Sequence, residues 1–273
     1  MIDVKIQEQL RQKYNPDGSP LRQHQLKLLE MLKYLDKVCT ENGIRYWLSS
    51  GTCLGAVRHG GFIPWDDDVD VEMMREDYLK LEKVFKETDD YVIQTWKNDR
   101  YYSTSFAKLR DKHTVVYDSL YMYRGVFIDL FALEYTSRPI SFICSYLHKF
   151  FSGRLYDFLK AAQQKGTYVM RLLFHIGTVL FLMLKYGYFI SVPLFRLIGK
   201  IWYNRQLRHN YGVGWINNTR CEKNLFPLRR ISFEGIMLPV PGDYDSYLSR
   251  IYGDYMKLPN RIPVSHAQYY KKI

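Results

Sequence analysis

Cysteine is scarce in this chain: four residues in 273, all far apart in the sequence. Because no two of them form a Cys-x-x-Cys pair, the sequence argues against a zinc site built on such pairs. So few cysteines in a chain of this size are typical of a reducing compartment. The first residues, MIDVKIQEQLRQKY, also lack the apolar core of a signal peptide. We therefore expect a cytoplasmic protein.

Acidic residues are nearly absent from 136–222, which hold two of them against twelve lysines and arginines. The whole chain has a net charge of +11, and this segment carries most of the excess. It is also rich in Phe, Tyr, Leu and Ile, and this composition favours an anionic membrane face over nucleic acid as its partner. We predict a helical segment and peripheral attachment to the inner face of the cell membrane, with no nucleic-acid partner.

No uninterrupted apolar run in this segment reaches the roughly 20 residues that a spanning helix needs. Leu172 to Leu184 is nearly continuous, and a second run follows Lys185. Three arrangements stay open: an interfacial helix with basic flanks, two runs joined through Lys185 that span a bilayer, and an ordinary buried helical subdomain.

The rest of the chain contains both helical and strand patterns, and we expect an α+β fold. Hydrophobic residues make up 47% of the sequence, which excludes general disorder. Ser19 and Pro20 begin a helix with apolar residues at helical spacing, which Gly43 ends; its His24 is expected at the surface. The other predicted elements are a strand at 44–48, a helix at 75–87, a strand at 92–96, a hairpin of 101–109 with 114–117, and a strand at 125–130.

The stretch 48–72, LSSGTCLGAVRHGGFIPWDDDVDVE, organises the chain. An apolar strand runs into Gly51 and Thr52, where a tight turn can present backbone N–H groups to phosphate oxygens. A glycine-rich connection with the cations Arg58 and His59 follows.

The stretch ends in carboxylates that alternate with valines, a strand pattern. Asp68 and Asp70 then share one face about 7 Å apart, and Asp66 joins them if the strand starts early. Carboxylates this close repel one another unless a cation lies between them, and Mg²⁺ or Mn²⁺ suits oxygen ligands. A solvated acidic loop is the alternative. A helix–loop–helix calcium site needs Gly at its sixth position and Glu at its twelfth. Counted from Asp66, these positions hold Val71 and Asp77, so this kind of site is excluded.

These residues resemble the LicD family of the nucleotidyltransferase-fold superfamily, which includes bacterial phosphocholine transferases and, more distantly, animal fukutin-related protein. The resemblance is carried by Gly51-Thr52, by LGAVRH at 54–59 and by PWDDDVD at 64–70. A second match comprises FEG at 233–235, YGDYM at 252–256, Pro259 and His266. Residues 140–220 have no residue-by-residue match.

The resemblance implies a mixed sheet flanked by helices, with a largely helical basic and aromatic insertion. The implied division is a catalytic core at 1–135, the insertion at 136–222, and a part that completes the catalytic domain at 223–273. A third metal carboxylate is expected on a later strand, and Asp129 in GVFIDL is the best match; an edge strand with Asp129 facing water is the alternative. Lys108 and Arg110 resemble a basic pair of LicD-like sequences, with a solvated hairpin as the alternative.

The implied roles are as follows. Asp68, Asp70 and Asp129 hold the metal; Asp66 is a further ligand or positions the acceptor; Gly51 and Thr52 hold phosphate oxygens; Arg58, Lys108 and Arg110 balance the leaving nucleotide; and His266 belongs to the substrate site.

The resemblance implies transfer of a substituted phosphate from a CDP-alcohol to a sugar hydroxyl, with release of CMP. Phosphocholine is the leading candidate, and the acceptor would be a cell-surface or lipid-linked glycan such as lipopolysaccharide, teichoic acid or capsule. A metal-dependent glycosyltransferase also uses Asp-x-Asp, but no nucleotide-binding α/β half precedes residue 50. A non-catalytic membrane-associated scaffold is the other alternative; metal binding separates it from an enzyme.

Overall fold

The computed structural model describes residues 2–116, 119–201, 205–215, 217–259 and 271–272. The helices are α1 (Val4–Tyr14), α2 (Pro20–Glu41), α3 (Ser50–His59), α4 (Arg75–Val84), α5 (Arg138–Lys149), a π-helical segment (Phe150–Leu155), α6 (Tyr156–Lys165), α7 (Tyr168–Ile201), α8 (Glu222–Leu225) and α9 (Tyr244–Tyr252). The strands are β1 (Trp47–Leu48), β2 (Asp70–Met74), β3 (Tyr91–Gln94), β4 (Ala107–Asp111), β5 (Thr114–Val115), β6 (Phe127–Thr136), β7 (Gln206–His209), β8 (Arg229–Phe233), β9 (Ile236–Val240) and β10 (Lys271–Lys272).

A mixed sheet in the order β1-β2-β6-β4-β3 forms the centre of the fold, and β7 adds to the far half of β6. Only the β2–β6 pair among the strands described in this sheet is parallel, and it places Asp70 directly opposite Asp129. Because β6 has strands on both sides, the edge-strand alternative for Asp129 is wrong. The α+β class is confirmed.

The helix predicted after Ser19 is confirmed as α2: the Ser19 hydroxyl accepts the Arg22 N–H, and Pro20 lies in the first turn. Its His24 is buried rather than exposed, so that prediction was wrong. The apolar stripe of α2 packs on the sheet in the main hydrophobic core, which also takes in residues of β1, β2, β6, β9 and α9.

Two local predictions near the motif are corrected. The glycine-rich connection is helix α3, so Gly51 and Thr52 lie in the first turn of a helix instead of a loop. Gly55 allows this helix to approach the chain that leaves it: a Cβ there would lie 2.5 Å from the Gly61 carbonyl oxygen. In addition, β2 begins only at Asp70, so residues 66–69 form a loop that leads into the strand.

The predicted hairpin of 101–109 with 114–117 is also wrong. Strand β4 pairs with β3 on one side and β6 on the other, whereas β5 pairs with β10. The chain order favoured a hairpin, but β4 is interior to the sheet and both of its edges are taken by other strands.

A second hydrophobic cluster lies in the insertion, where α5, α6 and α7 pack together. Within the described residues, one helix is long and apolar enough to cross a membrane: Tyr168–Gly199, with a mean hydropathy of 1.6. Only 28% of its most apolar window is buried in the protein.

Candidate active site

A cleft of about 850 Å³ opens between the start of α3, the loop 66–69 and the chain that follows α9. It brings together segments from both ends of the sequence that the motif analysis had singled out. Its lining includes Ser50, Gly51, Arg58, Trp65, Asp66, Asp67, Asp68, Asp70, Phe131, His209, Trp215, Tyr252, Asp254, Tyr255 and Pro259.

The carboxylates in the cleft, together with Asp129 on the strand beside it, form two overlapping groups. One oxygen each from Asp66, Asp67 and Asp68 lie within 4.8 Å of one another. Asp70 and Asp129 face each other across the parallel β2–β6 pair, and both act electrostatically on Asp68. Asp68 therefore belongs to the loop group and borders the strand group. The sequence had singled out Asp68, Asp70 and Asp129 and had not assigned Asp67 a role.

Burial and crowding oppose the ionisation of Asp66, Asp68 and Asp70 by raising the pKa of each. Burial raises the pKa of Asp66 and of Asp70 well above the ordinary value, and the neighbouring negative charges add to the rise. For Asp68, the main cause is the loss of contact with water, followed by the negative charges of Asp129 and Asp67. Together they raise the pKa of this carboxyl to about 6. A cation placed among these oxygens would offset the repulsion and favour the charged forms.

Helix α2 holds the backbone of the acidic loop. The Gln25 side-chain amide donates to the Asp66 carbonyl oxygen at 2.8 Å, and the Nε2 of His24 lies 2.9 Å from the Asp67 carbonyl oxygen. Sequence reasoning missed both residues, because polar side chains on an amphipathic helix usually face water.

The turn between β8 and β9 fixes the chain that enters the loop. Glu234 accepts the Phe62 N–H at 3.2 Å and forms an ion pair with Arg22 at 2.7 Å. Phe233-Glu234-Gly235 was part of the resemblance, and the structure shows that this distant segment supports the acidic loop.

Lys108 and Arg110, predicted as a pair, have different surroundings. The Lys108 ammonium forms an ion pair with Asp129 and lies over the Phe127 ring. Arg110 is fully buried: it donates to Gln94 Oε1 and to the Gly125 carbonyl oxygen, both at 2.7 Å. Lys108 therefore lies at the Asp129 carboxylate, whereas Arg110 is bound inside the sheet; neither residue belongs to the described lining of the cleft.

The first turn of α3 supplies backbone donors at the cleft. The first N–H groups of an α-helix have no acceptor within the helix, and Gly51 lines the cleft, where a Cβ would lie 3.2 Å from Asp66 Oδ2. The Thr52 hydroxyl accepts the Asp70 N–H at 2.9 Å, so this side chain ties α3 to the start of β2. Ser50, with φ of +44°, holds a strained backbone conformation at the junction of strand and helix.

Arg58 ties the C-terminal segment to α3. Its Nη1 donates to the carbonyl oxygens of Tyr255 at 2.8 Å and Lys257 at 3.3 Å, and its Nε donates to His59 Nε2 at 2.9 Å. The buried guanidinium lines the cleft but is already bound to the protein. The predicted site residue His266 lies outside the described residues.

A buried ionic network lies beneath the cleft. The Glu72 carboxylate accepts from Arg220 at 2.6 Å, from Trp47 Nε1 at 3.0 Å and from the Tyr247 hydroxyl at 3.3 Å, and it lies 3.0 Å from His209 Nε2. Burial alone would raise the pKa of Glu72, but the charge of Arg220 overrides it and lowers that pKa strongly. The network joins β1, β2, β7 and α9, and sequence analysis missed it because Glu72 and Arg220 lie 148 positions apart.

Aromatic side chains form one wall of the cleft. Trp215 packs against Phe131 and His209, with ring centroids 5.5 and 5.8 Å apart, and its indole is half exposed. Tyr252 lines the same cleft and is also partly exposed. Such faces suit an apolar or cationic group of a ligand.

The donor set of the cleft fits a hard divalent cation. It consists of carboxylate oxygens close enough together to share one ion, with Gly51 in place of a bulkier residue beside Asp66. Asp66, Asp67 and Asp68 are the nearest set of ligands, and Asp70 is the next carboxylate inward.

Comparisons with known proteins point to one family. The model of the family LicD/FKTN/FKRP, nucleotidyltransferase domain, matches residues 43–154. The lipopolysaccharide cholinephosphotransferase LicD of Haemophilus influenzae is 30% identical over 251 residues, covering 88% of this chain and 92% of that protein. Human ribitol 5-phosphate transferase FKRP is 46% identical over 57 residues, 21% of this chain and 12% of that protein. Since the similarity to the Haemophilus protein spans nearly all of both chains, this chain belongs to the LicD family.

Proposed function

We propose that this protein transfers phosphocholine from CDP-choline to a sugar hydroxyl of a cell-surface glycan, with Mg²⁺ or Mn²⁺ in the acidic cleft. The observation that carries the proposal is the meeting, in one cleft, of the acidic loop, the start of α3 and the chain after α9. The acceptor that the relatives favour is lipopolysaccharide, since the Haemophilus relative carries that substrate in its name.

In the proposed reaction, the acceptor hydroxyl attacks the phosphorus that bears choline. A new sugar O–P bond forms, the P–O bond to CMP breaks, and the hydroxyl proton passes to a carboxylate of the cleft. A bound divalent cation supplies charge neutralisation for the diphosphate and lowers the pKa of the attacking hydroxyl. Asp66, Asp67 and Asp68 hold it, with Asp70 as the inner carboxylate.

The remaining residues orient the donor. The first-turn N–H groups of α3 at Gly51 donate hydrogen bonds to phosphate oxygens, and the positive end of the helix dipole favours the negative charge of the phosphates. Lys108 forms an ion pair with Asp129 on the strand next to Asp70 and so adds a positive charge near the acidic loop. The half-exposed ring of Trp215, with Tyr252, provides the aromatic faces that a quaternary ammonium prefers.

The choice of choline over another alcohol rests on that aromatic wall, because a polyol such as ribitol needs hydrogen-bond partners instead. A decisive test offers CDP-choline, CDP-ribitol and CDP-glycerol in turn, with lipopolysaccharide or lipid-linked glycan as acceptor, and follows CMP. We expect CMP from CDP-choline only, and loss of the signal on chelation of the metal. Trp215→Leu should raise KM for CDP-choline while Leu79→Ala, on the exposed side of α4, should not.

Preference for another CDP-alcohol would contradict the assignment of choline but would still support a phosphotransferase activity. Turnover of a nucleotide sugar, with no CDP-alcohol used, would instead favour the glycosyltransferase alternative. Metal binding without turnover of any donor would favour the scaffold.

A further inference from the structure

Helix α7 exposes a continuous apolar stripe along most of its length. Eight side chains at intervals of three or four residues are between 39 and 72% exposed: Leu172, Ile176, Val179, Met183, Tyr186, Ile190, Leu194 and Leu197. They extend along about 37 Å of helix. An ordinary surface helix turns such a stripe toward the core and its charges toward water.

The charged residues within this stretch point the opposite way, into the protein. Lys185 is fully buried and donates to the carbonyl oxygens of Asp99 at 2.7 Å and Arg100 at 3.0 Å. Arg196 binds Glu134 on β6 through both Nε, at 2.8 Å, and Nη2, at 3.0 Å. The charged side chains of the helix therefore face the rest of the protein, and its apolar side chains face outward. An exposed apolar face of this kind indicates contact with an apolar environment.

The adjoining helix shares this property. On α5, which packs against α7, the side chains of Phe142, Ile143, Tyr146 and Leu147 are all exposed. Together the two helices present far more exposed apolar surface than scattered single residues would explain.

The positive charge around this apolar surface indicates which partner it binds. From Arg138 to Arg196 the chain contains one acid, Asp157. Exposed cations occur on the helices and their connections, at Arg138, Lys149, Arg154, Lys165 and Arg171. A second copy of the chain would bring the same cations against them, whereas anionic lipid headgroups complement them.

We propose that α5 and α7 lie flat on an anionic bilayer, with the apolar stripe of α7 in the headgroup–acyl boundary and the basic side chains on the headgroups. The contacts on the buried side of α7 distinguish a helix that lies flat on the bilayer from one that spans it. Phe181 and Tyr188 pack in the second core, and Lys185 and Arg196 are bonded to the domain. A spanning helix would have to give up these contacts and carry both charges into the acyl core.

This placement connects the membrane to the catalytic sheet, since Arg196 is bonded to the strand that carries Asp129. The surface itself is argued independently of the proposed reaction, and it can exist with a different donor or without turnover.

The test is flotation of the purified full chain with vesicles of phosphatidylglycerol and phosphatidylcholine, compared with phosphatidylcholine alone. We expect binding to the anionic vesicles that weakens with added salt. The triple variant Ile176→Glu/Met183→Glu/Ile190→Glu should bind at least about tenfold less, because three apolar side chains lose their burial. The matched control, Leu26→Glu/Leu79→Glu/Met237→Glu, changes exposed apolar residues of the other part of the molecule and should bind as the wild type does.

Because all six positions are exposed, both triple variants should fold, which circular dichroism checks. Equal flotation of the two triple variants would overturn the proposal. If the wild type were a dimer in sedimentation equilibrium and did not bind vesicles, and the α7 triple variant were a monomer, the apolar face would belong to a contact with a second copy instead. Retention of the wild type in vesicles after alkaline carbonate extraction would contradict the flat placement.

Discussion

At the scale of single residues, Asp68 connects the carboxylates of the acidic loop with those on strands β2 and β6. It shares the loop group with Asp66 and Asp67, and it interacts electrostatically with Asp70 and Asp129. The sequence predicted a site role for Asp68 from the carboxylate pattern and the family resemblance, whereas the position of Asp67 beside it depends on the loop conformation that precedes β2.

Removal of one charge at Asp68 tests metal binding without any turnover. In Asp68→Asn we expect Mg²⁺ to raise Tm less than it does in the wild type, because a ligand that binds only the folded state stabilises it in proportion to its affinity. Differential scanning fluorimetry with a Mg²⁺ titration after chelator treatment measures this. Glu87→Gln, an exposed carboxylate far from the cleft, serves as the control and should respond as the wild type does. An unchanged Mg²⁺ response of the Asn variant would remove Asp68 from the ligand set.

The Glu72 network supplies a contrasting prediction, about stability. In Glu72→Gln the buried Arg220 loses its counter-charge, and we expect a loss of about 3 to 5 kcal/mol in the free energy of unfolding. Glu76→Gln removes an exposed partner of Arg45 and should cost less than about 1 kcal/mol. Urea denaturation of the two variants compares them directly, and similar costs would mean that the network does not hold the base of the cleft.

At the scale of elements, helix α3 is the largest departure from what the sequence predicts. Gly51, Gly55 and Gly60 favour a loop by composition, yet only Gly60, which ends the helix with φ of +68°, serves a turn. Gly55 is needed for close packing, which depends on a neighbour that one sequence does not reveal. By contrast, α2 is predictable because its N-cap, its proline and its apolar period are all local.

The same substitution at two helical glycines should have opposite effects. Gly55→Ala forces a Cβ against the Gly61 backbone, so we expect a loss of about 1 to 3 kcal/mol in unfolding free energy. Gly187→Ala, in α7 with open space around it, should gain up to about 1 kcal/mol through helix propensity. Urea midpoints measure both. A stabilised Gly55 variant would contradict the close approach of α3 to the chain that follows it.

At the scale of the whole molecule, charge is distributed unevenly along the chain. Residues 1–135 are slightly acidic and supply the carboxylates of the cleft, while 136–222 carry the basic excess and the exposed apolar face. That division could be read from composition. The joining of distant parts could not, since Glu234 at the acidic loop, Arg58 with Tyr255, and Glu72 with Arg220 are contacts between segments far apart in the sequence.

The most direct test of the central claim is the rate of CMP release from CDP-choline, with glycan acceptor and Mg²⁺, by the wild type and by Asp68→Asn at matched folded concentration. The account predicts a loss of at least about 10²-fold, because the Asp68 carboxylate would help to hold the cation that neutralises the diphosphate in the transition state. Glu76→Gln, measured beside it, should keep the wild-type rate. CMP release by the Asn variant at the wild-type rate would contradict the assignment of the acidic cleft as the active site.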